Sequence, residues 1–199
     1  NPENGVKAER IGIAYSDDMI HWERYPGNPV FGHENGMITG DAHIQKMGDL
    51  YVMFFFGAFW NNRPYDAFNT FACSYDLIHW TQSKVRVIDE YKELFGEMGC
   101  AWAPETIYDP VEGKMMIYFT MRYHNEETRL YYAYTDDDFT KFVTVPQPLF
   151  EYPNPKISTL DADITALPDG RFCMMYVAHD EGIGIKMAFS DKINGGYEY

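Results

Sequence analysis

The chain has 199 residues, 46% of them apolar and 17% aromatic, and carries a formal net charge of −14 at pH 7. This acidic balance disfavours nucleic acid and anionic membranes as partners, because both attract basic surfaces. The aromatic excess favours strands over helices, and we find no run of about 18 apolar residues of the kind that spans a membrane. The opening "NPENGVKAER" contains no signal peptide and indicates a processed start or the middle of a longer protein. The compartment therefore stays open, with a lean toward a secreted or periplasmic one.

Four segments along the chain share one pattern of an apolar strand, a polar turn and a closing aromatic residue. They are "IGIAYSDDMIHW", "NTFACSYDLIHW", "RLYYAYTDDDFTKF" and "GIKMAFSDKINGGY". Each contains an alanine followed two residues later by Ser or Thr, and the alanines (Ala14, Ala72, Ala133 and Ala188) are 58, 61 and 55 residues apart. A near-constant spacing of this length predicts a repeat architecture. We expect Trp22 and Trp80, which end the first two segments, to pack within the fold and not to bind a ligand.

A second repeated unit lies between these hairpins: "GDLYVMFFFGAFW", "GKMMIYFTMRYHN" and "GRFCMMYVAHDE". Each copy follows a turn and an earlier strand, and those strands begin "GDAHIQ", "WAPETIY" and "LDADITAL". One complete repeat is therefore four short antiparallel strands, which is typical of a β-propeller blade. A two-sheet sandwich is the structural competitor, but it does not explain the recurrence.

The number of repeats predicts an all-β propeller domain over 1–199 that is present as an incomplete ring. We assign 1–35 to the outer strands of the closing blade, 38–95 to blade one, 100–150 to blade two and 157–199 to blade three. About three and a half blades cannot close a ring, and an open ring exposes sheet edges. We expect a missing C-terminal segment to complete it, with a partner chain or a homo-oligomer as the alternative.

Polar and aromatic side chains collect at one rim of this propeller. In a four-stranded meander, the start of strand one lies at the same end as the connection between strands two and three. This rim gathers three kinds of candidate: the carboxylates Asp41, Glu105, Asp161 and Asp163, the aromatic residues Trp60 and Trp102, and the donors His43, Arg122, His124 and His179. Converging carboxylates can act as acid and base, while aromatic faces stack on sugar rings. The pattern favours a carbohydrate site, although Asp41 alone could equally be a strand cap. No His or Cys spacing predicts a transition-metal site.

The order "GDAHI", "SYDLIHW", "CAWAPETIYDPVEGKMMIYFT", "LDADITALPDGRFCMMY" over 38–199 resembles glycoside hydrolase family 43. The resemblance implies a five-bladed propeller and inverting hydrolysis of arabinose- or xylose-containing glycans, with an oligo- or polysaccharide as partner. It also implies Asp41 as the base that activates water, Asp161 as the residue that orients and tunes the acid, and Glu105 as a signature position that supports the rim. No cofactor is required, and a structural calcium ion could occupy the central channel.

Two departures from the family pattern limit this assignment. Ala42 stands where the family often has proline, and the family's acidic glutamate is expected after residue 199. Glu126, Glu127 and Glu181 lie on loops that nothing in the sequence orders. We therefore expect 1–199 alone to bind sugars weakly and not to hydrolyse them.

Three rival functions stay open at this point. The same aromatic rim would serve a sugar-binding propeller without catalysis. A glycoside phosphorylase of a related five-bladed family needs a basic phosphate pocket, for which only Arg63, Arg122 and a few histidines are available. A structural or interaction propeller is the third.

Overall fold

The computed structural model describes residues 10–32, 37–59, 68–83, 91, 98–123, 127–180 and 182–199. Every regular element in these ranges is a β-strand, and the four sheets follow one another along the chain. Among the same residues, no helix has the length and apolar character needed to cross a membrane. The prediction of an all-β propeller in an incomplete ring is confirmed.

The four sheets consist of an outer hairpin and three blades, which we name by their order in the chain. The hairpin pairs β1 (Ala14–Tyr15) with β2 (Glu23–Arg24). Blade one contains β3 (Met37–Met47), β4 (Leu50–Phe59), β5 (Phe68–Ser74) and β6 (Thr81–Ser83). Blade two contains β7 (Met98–Asp109), β8 (Lys114–Tyr123), β9 (Thr128–Tyr134) and β10 (Gln147–Phe150). Blade three contains β11 (Thr159–Ala166), β12 (Phe172–Asp180) and β13 (Gly182–Ser190).

Within each blade, the strands pair antiparallel with their chain neighbours. A bridge between Phe189 and Glu198 adds a short outer edge to blade three. Met37 pairs with Phe59 and Met47 with Leu50, so the start of β3 and the end of β4 lie at one end of the blade. We call this end the strand-start rim and the other end the turn rim.

The inner hairpin of blade two is apolar on both faces, because this blade packs between blades one and three. On β8, Ile117 and Phe119 join a cluster with Phe54 and Phe71 of blade one. Tyr118, which lies between them in sequence, joins the cluster with blade three instead. The continuous run "MMIYFTM" therefore belongs to a strand buried on both faces, as the alternation of side chains in a strand requires.

Blade three buries one face and leaves the other in solvent. Its side chains on the inner face, such as Met174 and Tyr176, are 0% and 1% exposed and pack on blade two. The opposite face carries Ile185, Met187 and Phe189, which are 76%, 55% and 37% exposed. This apolar face has the character of the faces that are buried between the other blades.

The repeated outer turns have the same hydrogen bonds in both copies for which the sequence reads "S-x-D-x-I-H-W". The hydroxyl of Ser16 accepts from the backbone of Met19 at 2.9 Å, and that of Ser74 accepts from Leu77 at 2.9 Å. In both turns the tryptophan indole donates to the carbonyl of the same left-handed residue. The repeat detected in the sequence is thus a physical repeat of turn geometry.

The two tryptophans of these turns differ in their packing. Trp80 packs beside Phe31 at a ring-centroid distance of 6.4 Å, next to the cluster formed by Met53, Phe55 and Ala72. Trp22 is 57% exposed, so the expectation that it packs within the fold is wrong for this copy of the turn. The difference follows from the surroundings: an apolar cluster lies against the Trp80 ring, whereas more than half of Trp22 faces solvent.

Candidate active site at the strand-start rim

The first strand of each of the three blades contains a β-bulge near the strand-start rim. The register shifts lie between Gly40 and His43 on β3, between Trp102 and Glu105 on β7, and between Leu160 and Asp163 on β11. The residue that opens each bulge has a left-handed backbone, with φ of +48° at Asp41, +42° at Ala103 and +53° at Asp161. Glycine is the usual residue at such a position. Three non-glycine residues there indicate strain that the surrounding fold maintains.

The bulges bring Asp41 and Asp161 close enough for their charges to interact, although blade two separates their strands in sequence. Partial loss of hydration raises the pKa of the Asp161 carboxyl, and the negative charge of Asp41 raises it further. Asp161 is nevertheless an exposed residue, so neighbouring protein atoms remove only part of the water around its carboxyl group. A carboxyl group whose pKa is raised by a nearby negative charge is common in the carboxylate pairs of hydrolytic sites.

Two neighbours act on Asp161: one holds its backbone in place, and the other lowers the pKa of its carboxyl group. Its backbone N–H donates to the hydroxyl of Thr120 at 3.1 Å, and Thr120 is fully buried on β8. This bond ties the bulge of blade three to blade two. The ring of His179 lies on β12 near the same carboxyl, and its charge lowers the Asp161 pKa against the other two effects.

The residues that follow the first two bulges, His43 and Glu105, contact each other across the boundary between blades one and two. The Nδ1 atom of His43 meets the Oε2 atom of Glu105, and the two side chains are only 25% and 30% exposed. Glu105 pairs across the sheet with Tyr118, whose hydroxyl accepts from the backbone of Ile164 at 3.0 Å. Burial raises the pKa of Tyr118, and the charges of Glu105 and Asp163 act in the same direction.

Trp102 and Arg122 form an adjoining wall on blade two. The guanidinium carbon of Arg122 lies 5.4 Å from the centre of the Trp102 ring, in the range of a cation–π contact. The Arg122 Nε atom is buried and has no hydrogen-bond partner among the described residues. Trp60 and His124, the other two residues expected at this rim, lie outside the described residues.

The structure describes eight of the ten residues that the sequence predicted for one rim. They lie on the first two strands of the three blades: Asp41, His43, Trp102, Glu105, Arg122, Asp161, Asp163 and His179. Interactions join His43 to Glu105, Trp102 to Arg122, and Asp161 to both Asp41 and His179; a single site formed by all eight stays a prediction. Sequence reasoning missed Ala103 and Thr120. Alignment of the three strand starts would have pointed to Ala103, because it occupies the position of the two aspartates, whereas nothing in the sequence marks Thr120.

A cleft of about 350 Å³ lies at the turn rim between blades two and three, away from these carboxylates. Its lining includes Asp109, Phe172 and Ile193. Asp109 is 1% exposed and accepts a hydrogen bond from the hydroxyl of Tyr134 at 2.6 Å, which itself accepts from Asn194. The buried carboxylate of this cleft, Asp109, is therefore occupied by a structural hydrogen bond, and we place the candidate active site at the strand-start rim.

No group of three or more His, Cys, Asp or Glu side chains in the described part of the chain is arranged to hold a metal ion. The calcium ion that the resemblance allows therefore stays an expectation, and we assign no step of a reaction to a metal.

Comparison with known proteins identifies relatives of the chain. A family model described as "Probable glycosyl hydrolase domain", related to glycoside hydrolase family 43, matches residues 8–199. No curated protein matches the chain. A solved structure titled "Glycoside hydrolase" is 41% identical with a TM-score of 0.50, over 73% of this chain and 39% of that one. The chain thus spans well under half of that relative's length.

Two more distant structures show the fold. An endo-arabinase from Bacteroides thetaiotaomicron VPI-5482 is 14% identical with a TM-score of 0.70, over 95% of this chain and 70% of that one. A xylan beta-1,4-xylosidase from Bacillus Halodurans C-125 is 13% identical with a TM-score of 0.67, over 93% of this chain and 36% of that one. Structural similarity to propeller glycoside hydrolases therefore extends over almost the whole chain.

Proposed function

Because the chain belongs to the family of "Probable glycosyl hydrolase domain" proteins related to glycoside hydrolase family 43, we propose that it supplies the base of a glycosidase. Its substrates are arabinose- or xylose-containing oligo- or polysaccharides, and hydrolysis inverts the anomeric centre by single displacement. The observation that carries this proposal is the position of Asp41 and Asp161. Both open the first-strand bulge of their blade, and their charges interact across the rim.

In the proposed reaction, Asp41 accepts a proton from a water molecule as that water attacks the anomeric carbon. The bond between this carbon and the leaving-group oxygen breaks, and a general acid donates a proton to that oxygen. Asp161 orients and tunes the acid: a carboxylate that is repelled by Asp41 also repels the charge of a third carboxyl group, and so keeps the acid protonated.

The general acid is not assigned to a residue of this chain. Inverting enzymes hold their acid and base about 6.5–9.5 Å apart, so that a water fits on the side opposite the leaving group. Glu105 is engaged with His43 on the blade beside that of Asp41. We therefore propose that residues 1–199 alone bind sugars weakly and do not hydrolyse them, and that the acid comes from a further blade.

The remaining rim residues supply sugar contacts in this proposal. Arg122 covers one face of the Trp102 indole, so a sugar ring that stacks on Trp102 uses the other face. Asp163 accepts from hydroxyl groups, and His179 can donate to them through a ring N–H. A neutral sugar fits this mixed surface, since aromatic rings bind its apolar face and polar side chains fix its orientation.

The test is to assay the purified chain and a longer protein that contains it on a panel of aryl arabinosides and xylosides. We expect hydrolysis by the longer protein only, and proton NMR of the first-formed product should show the inverted anomer. The matched control is Asp41→Asn in both proteins. Turnover by residues 1–199 that disappears in the control would show that the acid lies within this chain, and would refute the proposed division of roles.

A sugar-binding propeller without catalysis is the second candidate, supported by the Trp102–Arg122 wall. It predicts that the longer protein binds the same sugars with equal affinity in its wild-type and Asp41→Asn forms, and hydrolyses none of them.

A further inference from the structure

The rim contains a histidine whose two ring nitrogens have different environments. The Nδ1 atom of His43 contacts the carboxylate of Glu105. The Nε2 atom on the other side of the ring is buried and has no hydrogen-bond partner among the described residues. A buried polar nitrogen without a partner is costly, so its persistence at a candidate active site points to a partner that arrives with the ligand.

The carboxylate contact favours one of the two tautomers of the His43 ring. A carboxylate oxygen can only accept, so a hydrogen bond between these two atoms has Nδ1 as its donor, and a ring that carries its one proton there presents Nε2 as an acceptor. The most abundant donors on a carbohydrate are its hydroxyl groups. We propose that Glu105 is a positioning residue that holds His43 in the Nδ1–H tautomer, and that Nε2 accepts a hydrogen bond from a substrate hydroxyl.

The same kind of contact occurs on the turn rim with a different outcome. His79 places its Nδ1 atom 2.7 Å from Asp76, but its side chain is 86% exposed. Its Nε2 atom therefore faces water and needs no ligand. On the turn rim, the carboxylate–histidine pair is a repeated feature of the outer turns. Between blades one and two, the pair joins two first strands, and the acceptor nitrogen of its histidine is buried. His79 is thus a control that the chain provides itself.

The role of Nε2 rests on the proposed function, but the tautomer does not, so the two can be tested separately. Histidine-ring ¹⁵N–¹H correlation spectra of the labelled chain report which nitrogen is protonated, and His43→Asn identifies the His43 signals by their loss. We expect the Nδ1–H form for His43, and a shift toward the Nε2–H form in Glu105→Ala but not in Glu105→Gln, whose amide oxygen can still accept. An Nε2–H ring in the wild-type chain would overturn the positioning role of Glu105.

Titration with methyl arabinofuranoside and methyl xyloside, in the same spectra, tests the acceptor role. The Nε2 signal of His43 should move on binding while both nitrogens of His79 stay unchanged. His43→Asn retains a donor toward Glu105 but has no atom at Nε2, and should weaken binding about tenfold. His43→Gln, which carries an amide near the Nε2 position, should lose less.

Each result decides one part of the proposal. Binding of either sugar without a change at Nε2, or equal losses in the two His43 variants, overturns the acceptor role and leaves the proposed function standing. Binding of neither sugar, in this chain and in the longer protein, overturns the proposed function and the acceptor role together.

Discussion

Ala103 provides a direct test of the strained bulges. Its φ of +42° places an L-residue in the left-handed region, at a cost of roughly 1–2 kcal/mol. Glycine removes this cost but gains more freedom in the unfolded chain, worth about 0.5–1 kcal/mol. We therefore expect Ala103→Gly to stabilise the protein by about 0.5–1 kcal/mol, which corresponds to a rise in Tm of about 1–4 °C for a chain of this size.

The matched control is Ala42→Gly. Ala42 lies on the bulge of blade one, is exposed, and is not among the residues with a positive φ. Glycine there should destabilise the chain by about 0.5–1 kcal/mol. Denaturant unfolding and calorimetry measure both variants. Equal effects of the two substitutions, or a net loss of stability in Ala103→Gly, would refute the idea that Ala103 is held in a strained conformation.

Two further substitutions probe the electrostatics and the buried hydrogen bonds. The raised pKa of Asp161 means that folding disfavours its charged form, so its contribution to the free energy of unfolding is most favourable at acidic pH and is lost as pH rises through the folded-state pKa. Asp161→Asn should therefore be more stable than wild type at pH 7, and this advantage should vanish as the pH is lowered. A constant difference across the pH series would contradict this. Tyr134→Phe should lower the free energy of unfolding by about 1–3 kcal/mol, because the buried Asp109 loses the hydroxyl donor at 2.6 Å. The exposed Tyr108→Phe is the control. A similar denaturation midpoint for the two variants would show that this hydrogen bond does not stabilise the fold.

The blades could be predicted from the sequence because their signals are local and repeated. Runs such as "GKMMIYFTM" are apolar on both faces, and only a strand between two neighbours buries both. The outer turns also repeat their hydrogen-bonding residues at fixed offsets, as Ser16 and Ser74 show. The shared rim then followed from the connectivity of an antiparallel meander.

The bulges could not be predicted in the same way. A left-handed residue in a strand is normally signalled by glycine, and here aspartate or alanine occupies each position. The contact between His43 and Glu105 could not be predicted either, since it depends on the angle at which blades one and two pack against each other. The exposure of Trp22 shows a third limit: two turns with the same sequence pattern pack differently when only one has a cluster such as Phe31 and Phe55 beside it.

The central claim is that Asp41 activates water for glycoside hydrolysis. Its most direct test is the turnover number of the longer protein on an aryl arabinoside or xyloside, in its wild-type and Asp41→Asn forms. The substitution is nearly isosteric and asparagine tolerates the left-handed backbone, so the free energy of unfolding should change little. Loss of the base should reduce turnover by a factor of about 10² to 10⁴. Equal turnover of the two proteins would show that Asp41 is only a strand cap.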